Sequence, residues 1–447
     1  MPLQNIDPLH YQREAADKAL AALTDPPHEG VRGFFIGDKM GLGKTIEALM
    51  IADEIPKTDN LIAVVCPAFL VPKWRREITE KCPVNRPYRF VVESFSSLTD
   101  AATLRKFCSR RYDLIIFDEA HYFKSHKAQR TQAAEAAAKV GRFLLSLSGT
   151  WPPNNVGDSY TWLRMAANPL ADMSFESFVY RHASFATRTH FGLRHEGFRD
   201  STEWREHFDP YYIGREIDDV TDAIPDGLRL FETVEMPDKL AKEERQFFGE
   251  MLAAAGHSAH DLDFILSNED YFEQILATVP DFSRLAEFRK RQGFTKIPAA
   301  LNWLTEAREE KKKILVYCYH KEVAEKFFAE CRKKGFPARV VHGTNSDAAE
   351  REQMLHAAQQ ENDIVLIVTI DAAREGVDLI GFDLTLFVEY DWRPWALEQA
   401  EGRTRRVGQK NAVRWVYMTF DKGIDKAMRK RVSAKTKTIA AIKGAVA

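Results

Sequence analysis

Asp38-Lys39-Met40-Gly41-Leu42-Gly43-Lys44-Thr45 is a glycine-rich turn set between an apolar run, Val31–Ile36, and a helical pattern, Ile46–Ile51. Strand, turn and helix in that order make a phosphate-binding loop. The turn presents backbone N–H groups at a helix N-terminus, where the helix dipole favours anions. Gly41 and Gly43 let the backbone of Met40 to Gly43 approach phosphates closely, Lys44 reaches the β- and γ-phosphates, and Thr45 holds Mg²⁺. The strict pattern places a glycine where Asp38 stands, with Gly37 one position early. Taken alone, the stretch also reads as a plain turn before a helix.

Other residues complete that chemistry. Asp118-Glu119-Ala120-His121 ends the apolar run Leu114–Phe117, about seventy residues after the loop. A carboxylate at the C-terminal end of such a strand binds the metal through water, which is the role of Asp118, while Glu119 polarises the attacking water as general base. Ser148-Gly149-Thr150 follows the run Phe143–Leu147. It is either a sensor of the γ-phosphate, a coupling element or a plain turn. Gln12, some thirty residues before the loop, either reads an adenine edge through two hydrogen bonds or caps a helix. Late in the chain, Arg403 and Arg406 stand three apart, a spacing that puts both on one helix face. They can neutralise charge on a transferring phosphoryl group or belong to a solvated basic face.

The elements that position these groups form two families of short apolar runs. In the first half they are Val31–Ile36, Leu61–Cys66, Tyr88–Val92, Leu114–Phe117 and Phe143–Leu147, with helices such as Arg13–Leu23 and Ala128–Lys139 between them. In the last third they are Ile314–Cys318, Ala338–Val341, Ile364–Val368, Leu384–Val388 and Val413–Met418. Runs of this kind alternating with helices give parallel sheets covered on both faces, so the fold class is α/β with two lobes. Between them, residues 155–300 carry aromatic and charged helical patterns, with helices expected over Asp238–Ala253 and Tyr271–Arg291 and a charged, irregular insertion over Phe185–Phe208. Ile224-Pro225-Asp226-Gly227 is a turn signal. It divides the chain into 1–225, a helical linker 226–300, and 301–447.

Composition excludes several classes. In 447 residues, 45% hydrophobic and 29% charged, no apolar run reaches the length of a membrane span, and Met1–His10 is not built as a signal peptide. The five cysteines include no C-x-x-C pair, and Cys66 and Cys318 end apolar runs, as buried free thiols do in a reducing compartment. The expected location is cytoplasm or nucleoid, or nucleus in a eukaryote. A net charge of −2 hides an asymmetry: from Arg403 to Ala447, thirteen Lys/Arg stand against Asp421 and Asp425. Such an end suits a polyanion, most simply nucleic acid, or a solvated terminal helix.

In order and spacing, these stretches resemble the superfamily-two helicases, and within them the Swi/Snf family of ATP-driven DNA translocases. The carriers are Asp38–Thr45, Val64–Pro67 with Trp74–Glu77, Asp118–His121 with Phe123 and Lys124, Ser148–Thr150 with Asn154, Val341–Gly343, Thr369–Asp378 and Gln399–Gln409. The phrasing of Ile370–Asp378 and Ala396–Gln409 is similar to the branch of annealing helicases and fork remodellers and to stand-alone phage and bacterial relatives. The resemblance implies two RecA-like lobes with a helical insertion, and ATP and Mg²⁺ as cofactors. It implies catalytic roles for Lys44, Asp118, Glu119, Arg403 and Arg406, and nucleotide contacts at Gln12, Met40–Thr45, Gly376 and Asp378. It also implies a path for double-stranded or branched DNA, with single-stranded nucleic acid as a further partner, near Pro67, Trp74, Lys124, His342, Gly343, Thr369 and Arg374. Tyr212-Ile213-Gly214-Arg215 looks like the arginine-bearing segment that closes the first lobe. The chain departs from the family at Lys39, where an acid is usual, at Arg405, where histidine is usual, and at Trp151 and Pro152.

Three activities follow from these motifs: translocation on duplex DNA, strand separation on DNA or RNA, and nucleotide-gated recruitment with slow hydrolysis. With the motifs occupying residues 9–420, the expectation is a bare motor. Intact Lys44, Glu119, Arg403 and Arg406 argue against a degenerate scaffold. Paired lobes with second-lobe arginines have no place in a small-molecule kinase.

Overall fold

The structure, a computed structural model, describes residues 3–4, 7–83, 86–123, 128–149, 156–189, 192–199, 201–220, 224–225, 227–254, 282–343, 348–372, 377–389, 391, 394–423, 425 and 429. Lys124, Thr150, Trp151, Pro152, Asn154, Phe191, Arg374, Gly376 and the basic positions from Lys430 onward lie outside them, as does the first part of the helix expected over Tyr271–Arg291. The chain divides near residue 222 into two compact units.

The first unit is built on strands β1 (Gly33–Ile36), β2 (Leu61–Cys66), β3 (Arg89–Ser94), β4 (Tyr112–Asp118) and β5 (Gly141–Leu147). With β8 (Tyr212–Ile213) they form one sheet in the order β3-β2-β4-β5-β1-β8, parallel throughout. Every residue of β1 and β2 is buried, which is why these strands read as continuous apolar runs: helices cover both faces. Helices α1 (His10–Thr24), α2 (Lys44–Glu54) and α3 (Val71–Lys81) belong to this unit. The insertion over Phe185–Phe208 is ordered rather than irregular. β6 (Phe185–Thr189) and β7 (Gly192–Glu196) form an antiparallel hairpin. A helix over Thr202–Phe208 follows, capped where Ser201 Oγ accepts the Trp204 N–H at 3.1 Å.

The second unit repeats the architecture with β9 (Gly227–Val234), β10 (Lys313–Cys318), β11 (Ala338–Val341), β12 (Ile364–Thr369), β13 (Leu384–Phe387) and β14 (Val413–Phe420). Their order is β11-β12-β10-β13-β14-β9, again all parallel. Residues 226–300 are therefore not helical throughout: Gly227–Val234 pairs with the whole of β14 as an edge strand. Helices follow over Asp238–Ala254 and Phe282–Glu310, the second running well past Arg291. Cys66 and Cys318 are buried thiols at their strand ends. Among the described residues, no helix is long and apolar enough to cross a membrane.

Candidate functional site

β1 delivers the chain into the glycine turn, and α2 leaves it at Lys44. Gly41 and Gly43 take φ values of 97° and 90°, a left-handed backbone that glycine adopts without strain. Gly43 caps α2 without offering any side chain to the first-turn N–H groups, so that helix end suits an anion. Gln12 braces the turn from α1: its Nε2 donates to Leu42 O at 2.8 Å, its Oε1 accepts the Leu9 N–H at 3.0 Å, and the Tyr11 hydroxyl donates to the same Leu42 carbonyl at 3.0 Å. A Cβ on Gly43 would stand 2.4 Å from Gln12 Nε2. Gln12 is thus buried against the loop, bonded through Nε2 to the loop's own backbone and through Oε1 to the N-cap backbone of α1, where it caps the helix.

Asp38, where the strict pattern places glycine, is fully buried and pairs with Arg215. Arg215 Nη2 donates to Asp38 Oδ2 at 2.6 Å, Nη1 donates to Tyr11 O at 2.7 Å, and the guanidinium lies 5.3 Å from the Tyr11 ring centre. Lys39 N donates to Arg215 O at 3.0 Å. A chain segment nearly two hundred residues away therefore fixes the entry of the turn. Glu47 of α2 is buried in the same cluster, 3.4 Å from Arg215. Burial, and next the neighbouring Asp38, hold its carboxyl well above the usual range. Lys44 Nζ donates to Asp38 O at 2.6 Å, beside the carboxylates of Glu119, Asp38, Glu47 and Asp118. Burial pulls the Lys44 ammonium down against their attraction.

Asp118 ends β4. Its Oδ1 accepts the Glu119 N–H at 2.9 Å and its Oδ2 accepts the Trp74 indole N–H at 2.8 Å. Burial, and next the Glu119 charge, push Asp118 up to about 6. Glu119 itself sits at φ 53°, a left-handed backbone for a residue with a side chain, at a cost of about 1–3 kcal/mol. His121 Nδ1 lies 3.1 Å from Glu119 Oε2 and 3.4 Å from Ser148 Oγ, so the turn after β5 touches the acidic quartet. Gly149 closes the site: a Cβ there would stand 2.8 Å from Met40 and 3.3 Å from Lys44 Nζ.

In the second unit the helix Pro394–Glu401 stops before Arg403, so the two arginines do not share a helix face. They lie in the turns that follow, because Gln409 pins that backbone. Its Nε2 donates to Ile380 O at 2.9 Å and Thr404 O at 3.0 Å. Arg406 pairs with Asp378, Arg403 is 9% exposed, and Leu379 N donates to Arg403 O at 2.7 Å. The structure thus joins the Thr369–Asp378 and Gln399–Gln409 stretches.

The residues expected along a DNA path are mostly inside. Pro67, Trp74, His342 and Thr369 are buried, and of that set Gly343 alone among the described residues is exposed. His342 Nε2 lies 3.1 Å from Glu325 Oε1, and Trp74 is committed to Asp118. The exposed groups beside Pro67 and Trp74 are Ala68 and Arg75.

The first unit fits a magnesium nucleotide. The turn offers glycine-backed N–H groups and a half-buried lysine, and Asp118 and Thr45 offer the oxygens. Among the described residues, no cluster of three or more His, Cys, Asp or Glu could hold a metal unaided. Mg²⁺ ordinarily takes one or two carboxylates and completes its shell with water and substrate phosphates, which suits this sparse donor set.

Comparison with known proteins gives a concordant result. The chain is 26% identical over 421 residues to a SWI/SNF-related regulator of chromatin subfamily A-like protein 1 homolog of Caenorhabditis elegans, covering 90% of this chain and 58% of that protein. It is 23% identical to the DNA annealing helicase and endonuclease ZRANB3 of Mus musculus, covering 88% of this chain and 37% of that protein. The chain spans about half the length of the curated relatives it matches. The Pyrococcus furiosus Hef helicase domain has the same fold, with a TM-score of 0.55 and 17% identity over 96% of this chain and 99% of that one. A helicase conserved C-terminal domain matches residues 295–408, and an SNF2-related domain matches residues 17–263, more than half of the chain. The chain belongs to the SNF2-related family of helicase-like ATPases.

Proposed function

We propose that the chain couples ATP hydrolysis, with Mg²⁺, to translocation along double-stranded or branched DNA, working where DNA is, in a nucleoid or nucleus. The observation that carries this reading is Lys44, half-buried beside Asp118 and Glu119 at the end of a left-handed glycine turn. The mouse relative's name, an annealing helicase acting on DNA, supports the choice of polymer.

In this mechanism the turn from Met40 to Gly43 and the Lys44 ammonium bind and orient the phosphates. Thr45 and Asp118 would hold Mg²⁺, which would neutralise charge on the phosphates. Glu119 takes a proton from the attacking water, with His121 fixing its carboxylate. Arg403 and Arg406 stabilise the charge that develops on the transferring group.

Two assays on one preparation test this. ATPase rates are compared with no nucleic acid, single-stranded DNA, duplex DNA, forked DNA and RNA. Triplex displacement is then compared with unwinding of a forked duplex. Stimulation by duplex or forked DNA, with triplex displacement and little strand release, is the expected outcome. Processive unwinding of a plain duplex would make the chain a strand-separating helicase instead.

A further inference from the structure

α3 has two distinct faces. Leu70 just before it, then Trp74 and Ile78, recur every four residues and are 6%, 1% and 5% exposed, an inward stripe. Arg75 is exposed, and Lys73 and Arg76 are half-buried, so the first two turns of the outer side are cationic, while Glu77 and Glu80 follow further along the helix. A phenylalanine would serve the inner stripe as a hydrophobe. What tryptophan adds is one N–H that can only donate, and a buried indole finds an acceptor. The acceptor here is Asp118 Oδ2 at 2.8 Å, the carboxylate assigned above to Mg²⁺. The other oxygen is fixed by the Glu119 backbone at 2.9 Å, so the indole supplies the second of two bonds that set the carboxylate plane.

We propose that Trp74 is a positioning residue that sets the Asp118 carboxylate for the metal and passes to it the occupation of the outer face of α3 by a polyanion. Adjacent residues on one helix turn move together. Phosphates gripping Arg75 and its neighbours outside therefore displace the indole inside, and the carboxylate follows its hydrogen bond. The second half of this inference rests on the DNA-dependent reading above; the first half does not.

The test uses the full chain carrying Trp74→Phe, with Trp74→Leu as a second variant lacking the donor. Mn²⁺ binding in the presence of ADP, followed by electron paramagnetic resonance, reads the carboxylate without turnover. Groups that orient metal ligands typically contribute 10–100-fold in affinity. Both variants should bind Mn²⁺ at least about 10-fold more weakly, to a similar degree despite their different volumes. Unchanged Mn²⁺ affinity in either would overturn the assignment. With the metal saturating, Trp74→Phe should bind duplex DNA as wild type does, while its stimulation of hydrolysis by DNA falls towards none. Full stimulation would overturn the transmission role. If the wild-type chain shows no stimulation by any nucleic acid, the DNA-dependent reading fails and the transmission role with it, while the Mn²⁺ result still decides what Trp74 does to Asp118.

Discussion

Glu119 holds a strained backbone that its neighbours enforce, with Asp118 Oδ1 on its N–H and His121 on its carboxylate. A general base contributes about 10²–10⁴-fold, so Glu119→Gln should lower turnover by that order while ADP affinity, read by a fluorescent analogue, stays near wild type. Arg406→Ala should likewise leave ADP binding nearly intact and cost about 10³–10⁵-fold in turnover, the measured value of an arginine that meets the transition state. Near-normal turnover in either variant removes that residue from the mechanism. A different residue sets acid sensitivity. His182 is 1% exposed, and burial lowers its pKa from 6.5 to about 4. The unfolded chain therefore takes up a proton as pH falls through 6.5 and the folded one resists it down to about 4. Stability is full above that window and lost within it, by about 3 kcal/mol at most. His182→Phe should flatten this part of the pH–melting profile; an unchanged slope would place the acid sensitivity elsewhere. Residue identity was legible in the sequence for the glycine turn and the acidic quartet, because their chemistry is local. The direction of Trp74 follows from packing, with Leu70, Trp74 and Ile78 at four-residue intervals forming an inward stripe. No local pattern shows that Asp38 waits for Arg215.

The strands show the same division. Those buried on both faces, such as β2, β10 and β12, are continuous apolar runs and stand where the sequence places them. β9 does not read that way. It puts Leu228 and Leu230 outward, 54% and 39% exposed, and turns Arg229 inward, so the apolar pattern is inverted in its first half, while Phe231 inward and Glu232 outward follow the ordinary one. What holds it is its ladder to β14 and a charge clamp. Arg229 Nε and Nη2 each donate to Glu401 at 2.6 Å, and the Tyr417 hydroxyl donates to Glu401 Oε1 at 2.6 Å. Glu401 is 4% exposed, and removing Arg229 leaves a buried carboxylate with the Tyr417 hydroxyl but no counter-charge. Breaking such pairs costs about 3–5 kcal/mol. With Arg229 partly exposed, Arg229→Ala should fall at or below the lower figure in chemical denaturation. The double change Arg229→Met with Glu401→Met should restore much of the loss, since no orphan charge remains. If the double variant is as unstable as the sum of the single ones, the clamp is not a pair but two independent contacts. Because Glu401 ends the helix that leads to Arg403 and Arg406, the same clamp sets where the arginine turns begin.

At the scale of the whole molecule, charge is segregated: thirteen basic residues from Arg403 onward sit on a chain whose net charge is −2. The described part of that end is largely engaged within its own unit. Arg414 pairs with Glu310 at 2.7 Å, Lys422 with Asp238 at 3.2 Å, and Arg406 with Asp378, while the Arg429 guanidinium lies 4.5 Å from the Phe231 ring centre. A cation already paired gains less from a phosphate, because its partner must be released to water first. A polyanion at this basic end is therefore tested at two groups of residues, the paired Arg414 and Lys422 and the further cations Lys430, Arg431, Lys435 and Lys437. Each neutralised phosphate on duplex DNA contributes roughly −0.9 to the slope of log affinity against log salt. Replacing those four by alanine should flatten the slope by about 3–4 if all of them meet phosphates, and should weaken every sequence alike, since phosphate contacts carry no base readout. Arg414→Ala and Lys422→Ala should each change it by less than one phosphate's worth. Equal effects from the two groups would show that the ion pairs open on binding. No effect from the four would leave the basic end facing solvent, with the grip on DNA supplied by the two sheets' own loops.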